Sequence, residues 1–265
     1  MAPSPPRPGL GSAAAAAAWR GLSDATGPDP PAGGPRLLRL PGEDAVRGRE
    51  GWREAVGLAV SALRAGGVIA VPTDTLYGLA CSALSSAALG DVYRIKGRGG
   101  HKPLALCLGS VADVYRFCVV RVPRELLQDL LPGPVTLVME RSHQLSRHLN
   151  PFTPLVGIRI PRHAFMQQLV QKFSGPLALT SANVSSQASS LTVAEFQDLW
   201  PQLSLIVDGG PIGDVQSPEC RLGSTVVDLS VPGEFSIIRP GCALTETADV
   251  LQRKYGLQPS KESRP

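Results

Sequence analysis

The chain has 265 residues, 43% of them hydrophobic and 18% charged, enough for one sizeable domain with a real core or for two small ones. Its formal charge of +4 sits at the ends, because residues 1–50 carry six basic and five acidic side chains, the last fourteen carry four and one, and the stretch between holds 16 of each. A neutral body argues against a broad duplex-binding face, and five scattered cysteines without a C-x-x-C pair argue against a disulfide framework or structural zinc. No apolar run approaches the ~20 residues of a membrane span.

Residues 1–50 contain proline-rich pieces, an alanine run from Ala13 to Ala18 and repeated Gly-Pro pairs. Such material buries too little apolar surface to offset its ordering entropy, so a disordered low-complexity extension is expected. Up to Asp24 it has Arg7 and Arg20 and no acid, which suits a mitochondrial transit peptide; an extension without an address suits it equally.

From Gly51 the pattern becomes regular. Trp52–Ala65 has helical spacing and stops at Gly66-Gly67. Val68–Val71 reads as a strand, Ser85–Lys96 as a helix capped by Ser85 or Ser86, and Leu104–Leu108 as a strand. Pro123–Leu131 is expected to be a helix, followed by strands at Val135–Met139 and Val156–Ile160. His163–Phe173 reads as a helix, Leu177–Thr180 as a strand and Val193–Leu199 as a short helix. Strands at Leu203–Val207, Thr225–Leu229 and Phe235–Ile238 precede a last helix, Thr245–Tyr255. Early alternation and late strand clustering predict one α/β domain with a mixed sheet over 51–256, then a flexible tail at 257–265.

The most informative segment is Pro72-Thr73-Asp74-Thr75-Leu76-Tyr77-Gly78-Leu79, which sets two hydroxyls and a carboxylate at the mouth of a buried strand. The following loop, Arg94 to Pro103, holds four fixed positive charges and no acid. P-loop, dinucleotide-fold, nucleophile-elbow and H-E-x-x-H signatures are missing, and the four histidines are not paired at ligand spacing. Any phosphate would have to be held by Lys, Arg, hydroxyls and loop amides. Arg159 inside Val156–Pro161 needs an anionic partner, either an internal carboxylate or a ligand, and Arg239 in Ile237–Gly241 poses the same demand. Hydroxyl-rich strand ends recur at Thr180-Ser181-Ala182-Asn183, with Ser185, Ser186 and Ser189 beyond, and at Gly223-Ser224-Thr225. Each of these could also be an ordinary cap or turn.

In order along the chain, Pro72–Leu79, Lys96-Gly97-Arg98, Lys102-Pro103, Pro132–Thr136, Arg159-Ile160-Pro161, Ser181-Ala182-Asn183, Ser224–Asp228 and Arg239-Pro240-Gly241 resemble the YrdC-like family, the threonylcarbamoyl-AMP synthases. The resemblance implies a single α/β domain with a twisted mixed parallel/antiparallel sheet, flanked by helices, around a basic concave cleft. It implies that L-threonine, bicarbonate or CO2 and ATP give threonylcarbamoyl-AMP and pyrophosphate. The product serves position 37 of tRNAs that read ANN codons. By the same resemblance Thr73, Thr75, Arg159 and Thr225 face threonine, and Arg98, Lys102, Ser181, Asn183, Ser189 and Arg239 face ATP. Lys96 and Arg98 are the catalytic candidates, neutralising charge on the phosphates. Two positions depart from the family pattern: Lys102 stands where microbial relatives often have asparagine, and Cys107 where some have histidine.

No covalent intermediate is needed, since a threonine carbamate can attack the α-phosphate in line while positioned charges assist. Mg2+ is expected to arrive on ATP, with no protein-held metal and no organic cofactor. Implied partners are a KEOPS-type tRNA threonylcarbamoyl-transferase complex in the cytosol and its mitochondrial homologue, with RNA contact weak or indirect. Cytoplasm and mitochondrion are the implied locations. Two alternatives remain open at this level. One is a non-catalytic double-stranded RNA or tRNA module. The other is a carbamoyl-transfer domain like that of hydrogenase-maturation proteins, whose zinc-finger cysteine pairs are missing here.

Overall fold

Neighbouring residues of β2 (Ile69–Pro72) point into different cores. Ala70 joins one apolar cluster with the preceding Val68, while Ile69 and Val71 join another. The same alternation runs through β3 (Tyr77–Ser82), where Leu79 and Cys81 oppose Ala80, and through β8 (Leu177–Ser181), where Ala178 opposes Leu177 and Leu179. Period-two alternation means that the sheet buries both faces. This computed structural model describes residues 35–41, 46–97, 102–184 and 187–260, which belong to the unit Pro35–Pro265. The unit Met1–Gly34, with the expected transit peptide and the Ala13–Ala18 run, lies outside the described residues.

One face is covered by α1 (Val46–Arg64), through Ala55, Val56, Ala59, Val60 and Leu63, and by α5 (Ala164–Phe173), through Phe165, Met166, Leu169 and Val170. On the other face lie α2 (Ser86–Ile95), α3 (Val111–Phe117) and α4 (Arg124–Leu130). Ser85 caps α2, its hydroxyl accepting the Ala88 amide at 3.2 Å. The remaining strands are β1 (Arg36–Arg39), β4 (Ala105–Cys107), β5 (Cys118–Val119), β6 (Val135–Arg141), β7 (Leu155–Arg159), β9 (Leu205–Asp208), β10 (Thr225–Asp228), β11 (Glu234–Arg239) and β12 (Gln258–Pro259). Among the described residues these twelve strands form a mixed sheet in the order β1-β9-β2-β3-β8-β4-β7-β6-β10-β11-β12, with β5 on β6. Parallel pairs such as β4 with β7 sit beside antiparallel ones such as β6 with β7, as a mixed α/β domain requires.

The sheet corrects the expected boundaries. Arg36–Arg39 pairs in parallel with Leu205–Asp208, and α1 starts at Val46, so the body reaches back to Pro35 instead of starting at Gly51. Backbone pairing at a sheet edge orders a short Arg-Leu-Leu-Arg segment that composition files with its proline-rich surroundings. At the other end Gln258 and Pro259 pair with β11, placing residues 257–260 in the body and not in a tail. β3 and α3 are additions to the predicted elements. All six β3 residues are buried, which leaves no polar alternation to read. The predicted helix at Val193–Leu199 is a 3-10 segment, Val193–Gln202, kinked at Phe196 and containing Pro201. The last helix splits into α6 (Leu244–Asp249) and a π turn, Val250–Lys254.

Candidate functional site

The turn from β2 to β3 is wound around one hydroxyl. Thr73 Oγ1 accepts the amides of Thr75 (3.1 Å) and Leu76 (3.2 Å) and donates to the Leu76 carbonyl at 2.7 Å. This side chain fully uses its bonding capacity in folding the turn. Thr75 stands 3.3 Å from it, Oγ1 to Oγ1, and is buried. Beyond the turn the Tyr77 hydroxyl accepts the Gly209 amide at 2.9 Å and donates to the Gly210 carbonyl at 2.7 Å, which anchors the start of β3 to the exit of β9.

Asp74, between the two threonines, is the internal carboxylate that Arg159 requires. Arg159 Nη2 donates to Asp74 Oδ1, and Nη1 lies 3.5 Å from Thr75 Oγ1. Both side chains of the pair are buried, at 6% and 9% exposure. The second Asp74 oxygen accepts the Arg162 amide at 2.9 Å. Among the described residues Arg159 Nε has no hydrogen-bond partner, although it is buried.

Arg239 approaches the same place from β11. Its Nη2 donates to the Ser224 carbonyl (2.9 Å) and hydroxyl (3.2 Å), and Ser224 Oγ is 2.8 Å from Thr136 Oγ1. Burial, and then the neighbouring Arg159 charge, push the Arg239 guanidinium below its ordinary pKa. Two arginines that repel one another around one carboxylate leave a site with positive charge to spare, which favours an anionic ligand. The backbone here is close-packed. Gly223 sits at φ +71° with Leu76 and Arg239 against it, and a Cβ on Gly241 would fall 2.3 Å from Ser224 C and Thr225 N. Cys107, in register with Arg159, is pushed up to about 12 by burial, with Arg159 only partly opposing this, so it is a neutral wall and not a nucleophile.

A second cluster lies at the end of β8. Lys96 is fully buried, and its ammonium donates to the Ser181 carbonyl (2.6 Å), Asn183 Oδ1 (3.0 Å) and the Asn183 carbonyl. Asn183 Nδ2 donates to the Gln187 carbonyl at 2.7 Å. The two clusters meet at Tyr77, whose amide donates to the Ser190 carbonyl (2.9 Å) and whose carbonyl accepts the Ala182 amide (2.8 Å).

The structure therefore brings Thr73, Thr75, Arg159 and Arg239 together, and Lys96 with Ser181 and Asn183. Ser189 is half-buried, with its carbonyl held by Arg221 at 2.7 Å, and Lys102 is exposed. Arg98, Ser185 and Ser186 lie outside the described residues. Two of the predicted residues also hold the fold. Thr225 is fully buried with its hydroxyl accepting the Ala243 amide at 3.2 Å, which fixes the β10 start. Lys96 holds the turn after β8, a job done through carbonyl oxygens. Asp74, Ser224 and Arg162 are the residues that sequence reasoning left without a role. The signal for Asp74 was available, since it is the acid inside the Pro72–Leu79 motif and Arg159 demanded one.

Residues 61–241 match the Sua5/YciO/YrdC family, described as Telomere recombination. The chain belongs to this family. It is 67% identical to the threonylcarbamoyl-AMP synthase of Homo sapiens, an alignment that covers 98% of this chain and 99% of that protein. The crystal structure of Sua5 from Pyrococcus abyssi, complexed with L-threonine, is similar at a TM-score of 0.68 and 27% identity, over 85% of this chain. This chain spans 62% of that archaeal protein. YciO of E. coli shares the fold, with a TM-score of 0.65 at 22% identity, over 78% of this chain and 94% of that one. Both clusters fall inside the stretch that matches the Sua5/YciO/YrdC family.

Proposed function

We infer that this protein is a threonylcarbamoyl-AMP synthase, an adenylate-forming transferase that supplies tRNA modification. The observation that carries this is the 67% identity over nearly the full length of both chains with a threonylcarbamoyl-AMP synthase. The geometry agrees with it, because the positive surplus around Arg159 and Arg239 suits an amino-acid carboxylate beside a nucleotide phosphate. The non-catalytic RNA-binding alternative has no comparable support.

In this reading the Asp74–Thr75–Arg159 corner takes L-threonine, with Thr73 shaping the turn that presents Thr75. Ser181, Asn183, Ser189, Lys102 and Arg239 border ATP, and Arg98 is assigned to the same ligand from the sequence motif. The threonine amine takes up CO2 or bicarbonate as a carbamate, a carbamate oxygen attacks the α-phosphorus, and pyrophosphate leaves. Positioning and charge neutralisation supply the rate. Among the described residues no group of three or more His, Cys, Asp or Glu side chains is placed to cage a metal, so Mg2+ in this reading rides on the ATP phosphates. The product then passes to a KEOPS-type transferase complex in the cytosol and to its mitochondrial homologue. Residence in both compartments rests on the acid-free leader up to Asp24. Among the described residues no helix is long and apolar enough to cross a membrane.

The experiment is pyrophosphate release from ATP with threonine and bicarbonate present, and with each omitted. Release that needs both supports the assignment. Release that needs neither, or none at all, overturns it.

A further inference from the structure

Thr136 has no part in the reading given above, although its hydroxyl is buried beside the arginine corner, at 7% exposure. It stands on β6 in register with Val226 of β10, and Val226 is in turn opposite Arg239 on β11. Two inter-strand spacings, roughly 10 Å, therefore separate the Thr136 and Arg239 backbones. Ser224, at the head of β10, fills the gap between the side chains. Its Oγ is 2.8 Å from Thr136 Oγ1, and both its hydroxyl (3.2 Å) and its carbonyl (2.9 Å) accept Arg239 Nη2.

Each link in that chain limits the next. The Thr136 methyl lies over Gly157, where a Cβ would stand 2.8 Å from its Cγ2. That fit, together with β-branching, fixes the Thr136 rotamer. A fixed hydroxyl then fixes Ser224. Whichever oxygen donates across the 2.8 Å bond, Ser224 Oγ keeps a lone pair for Arg239. Without the Thr136 hydroxyl, Ser224 can turn among three staggered rotamers, and only its carbonyl still holds the guanidinium. Arg239 needs such a hold, because it is exposed and the Arg159 charge opposes its own. Among the described residues Nη2 is the one Arg239 guanidinium nitrogen engaged, which leaves Nε and Nη1 for a ligand. An arginine ordered in advance loses less rotamer freedom when the ligand arrives.

We propose that Thr136 is a positioning residue for the nucleotide: it holds Ser224 and, through Ser224, sets the Arg239 guanidinium toward the phosphates. The proposal rests on the synthase reading, in which Arg239 borders ATP, and adds a residue to it. Thr136 itself touches no ligand. Its methyl supplies the fit over Gly157, and its hydroxyl supplies the hold.

The test is a double-mutant cycle on ATP affinity, read by calorimetry and as KM in pyrophosphate release, with full-length wild type, Thr136→Val, Arg239→Ala and the two combined. Thr136→Val keeps the branched shape over Gly157 and removes the hydroxyl. It should weaken ATP about three- to tenfold, the scale of one neutral hydrogen bond, with kcat and the KM for threonine nearly unchanged. In the Arg239→Ala background the same change should have no further effect, because its route to the nucleotide is gone. Thr136→Ser, which restores the hydroxyl, should bind ATP as wild type does. Unchanged ATP affinity in Thr136→Val overturns the proposal. So does a loss that persists without Arg239, or one that falls equally on threonine, as general loosening of β6 would give. Should Thr136→Val fail to fold, Ser224→Ala takes its place in the cycle, with the same expected and fatal outcomes. If Arg239→Ala weakens ATP and Thr136→Val does not, the proposal falls and the synthase reading stands. If Arg239→Ala binds ATP as wild type does, the placement of Arg239 beside ATP falls and the proposal with it. Absence of pyrophosphate release from wild type defeats the synthase reading, while the calorimetric cycle still judges Thr136.

Discussion

Lys96 grips Asn183 by two oxygens at once, the side-chain Oδ1 at 3.0 Å and the backbone carbonyl, while also holding the Ser181 carbonyl. A fully buried ammonium bonded to these three oxygens acts as a clamp between the end of α2 and the turn after β8. Lys96→Met removes the clamp and leaves buried carbonyls unsatisfied. Loss of stability by about 1–3 kcal/mol per orphaned group is expected, together with a raised KM for ATP and little change in threonine affinity. Urea unfolding and a KM-against-kcat comparison check this. A kcat loss with stability and KM unchanged would instead place the ammonium on the phosphates.

Arg159→Ala strands the buried Asp74 carboxylate. Removal of one partner from a buried pair costs about 3–5 kcal/mol, so the melting midpoint should fall well below wild type. Asp74→Asn placed on top should restore part of it, because the stranded charge is gone. Threonine dependence of pyrophosphate release should be lost in both variants, whereas ATP binding should survive. Arg159→Lys should not rescue, since an ammonium cannot reproduce the forked geometry.

Gly241→Ala is expected to disrupt the corner from behind. Its new Cβ would stand 2.3 Å from the backbone of Ser224 and Thr225, which cannot yield as a flexible side chain would. A loss of about 1–3 kcal/mol or more follows for forced overpacking, along with displacement of Ser224 from Arg239. Thermal melts and nucleotide affinity report the two effects separately. A neutral outcome for both would show that this approach is not as tight as described.

The Glu195–Arg221 pair gives a pH signature. Burial alone would raise the Glu195 pKa, but the Arg221 hydrogen bond leads a set of interactions that hold it below its ordinary value. A depressed carboxyl contributes stability that is complete above the ordinary carboxylate range and is lost as pH falls through that range to the folded value. The melting difference between wild type and Glu195→Gln should therefore be flat at neutral pH and shrink in acid. Growth of the difference in acid would contradict the assignment. Arg221 also holds the Ser189 carbonyl, so loosening at low pH should reach Ser189, which the proposed function sets beside ATP.

Thiol reactivity divides by burial. Cys81, Cys107 and Cys118 are each pushed up to about 12, chiefly by burial, and should not react with a disulfide reagent before unfolding. Exposed Cys242 should react first, half-buried Cys220 more slowly, and Cys242→Ser should abolish the fast phase.

How much of this was legible beforehand depended on which physical signal each feature leaves. Strand β2, the cap at Ser85 and helix α5 announce themselves through periodicity and capping chemistry, which are local. Arg159 is legible for a related reason, since a guanidinium among Val, Gly and Ile requires explanation. Its partner is not local: Asp74 lies 85 residues away, and the choice between an internal acid and a ligand needed the folded chain. Thr225 and Lys96 are ambiguous in the same way. A hydroxyl or an ammonium beside a strand end reads identically whether it faces solvent or a backbone carbonyl. Strand β1 escaped notice because what orders Arg36–Arg39 is the distant edge at Leu205–Asp208.

The closeness of Arg159 and Arg239 has a consequence for measured stability. Arg159 is ion-paired with Asp74, whereas Arg239 is bonded to the Ser224 carbonyl and hydroxyl, so an anion that settles at Arg239 should stabilise the fold by mass action and raise the melting midpoint with its concentration.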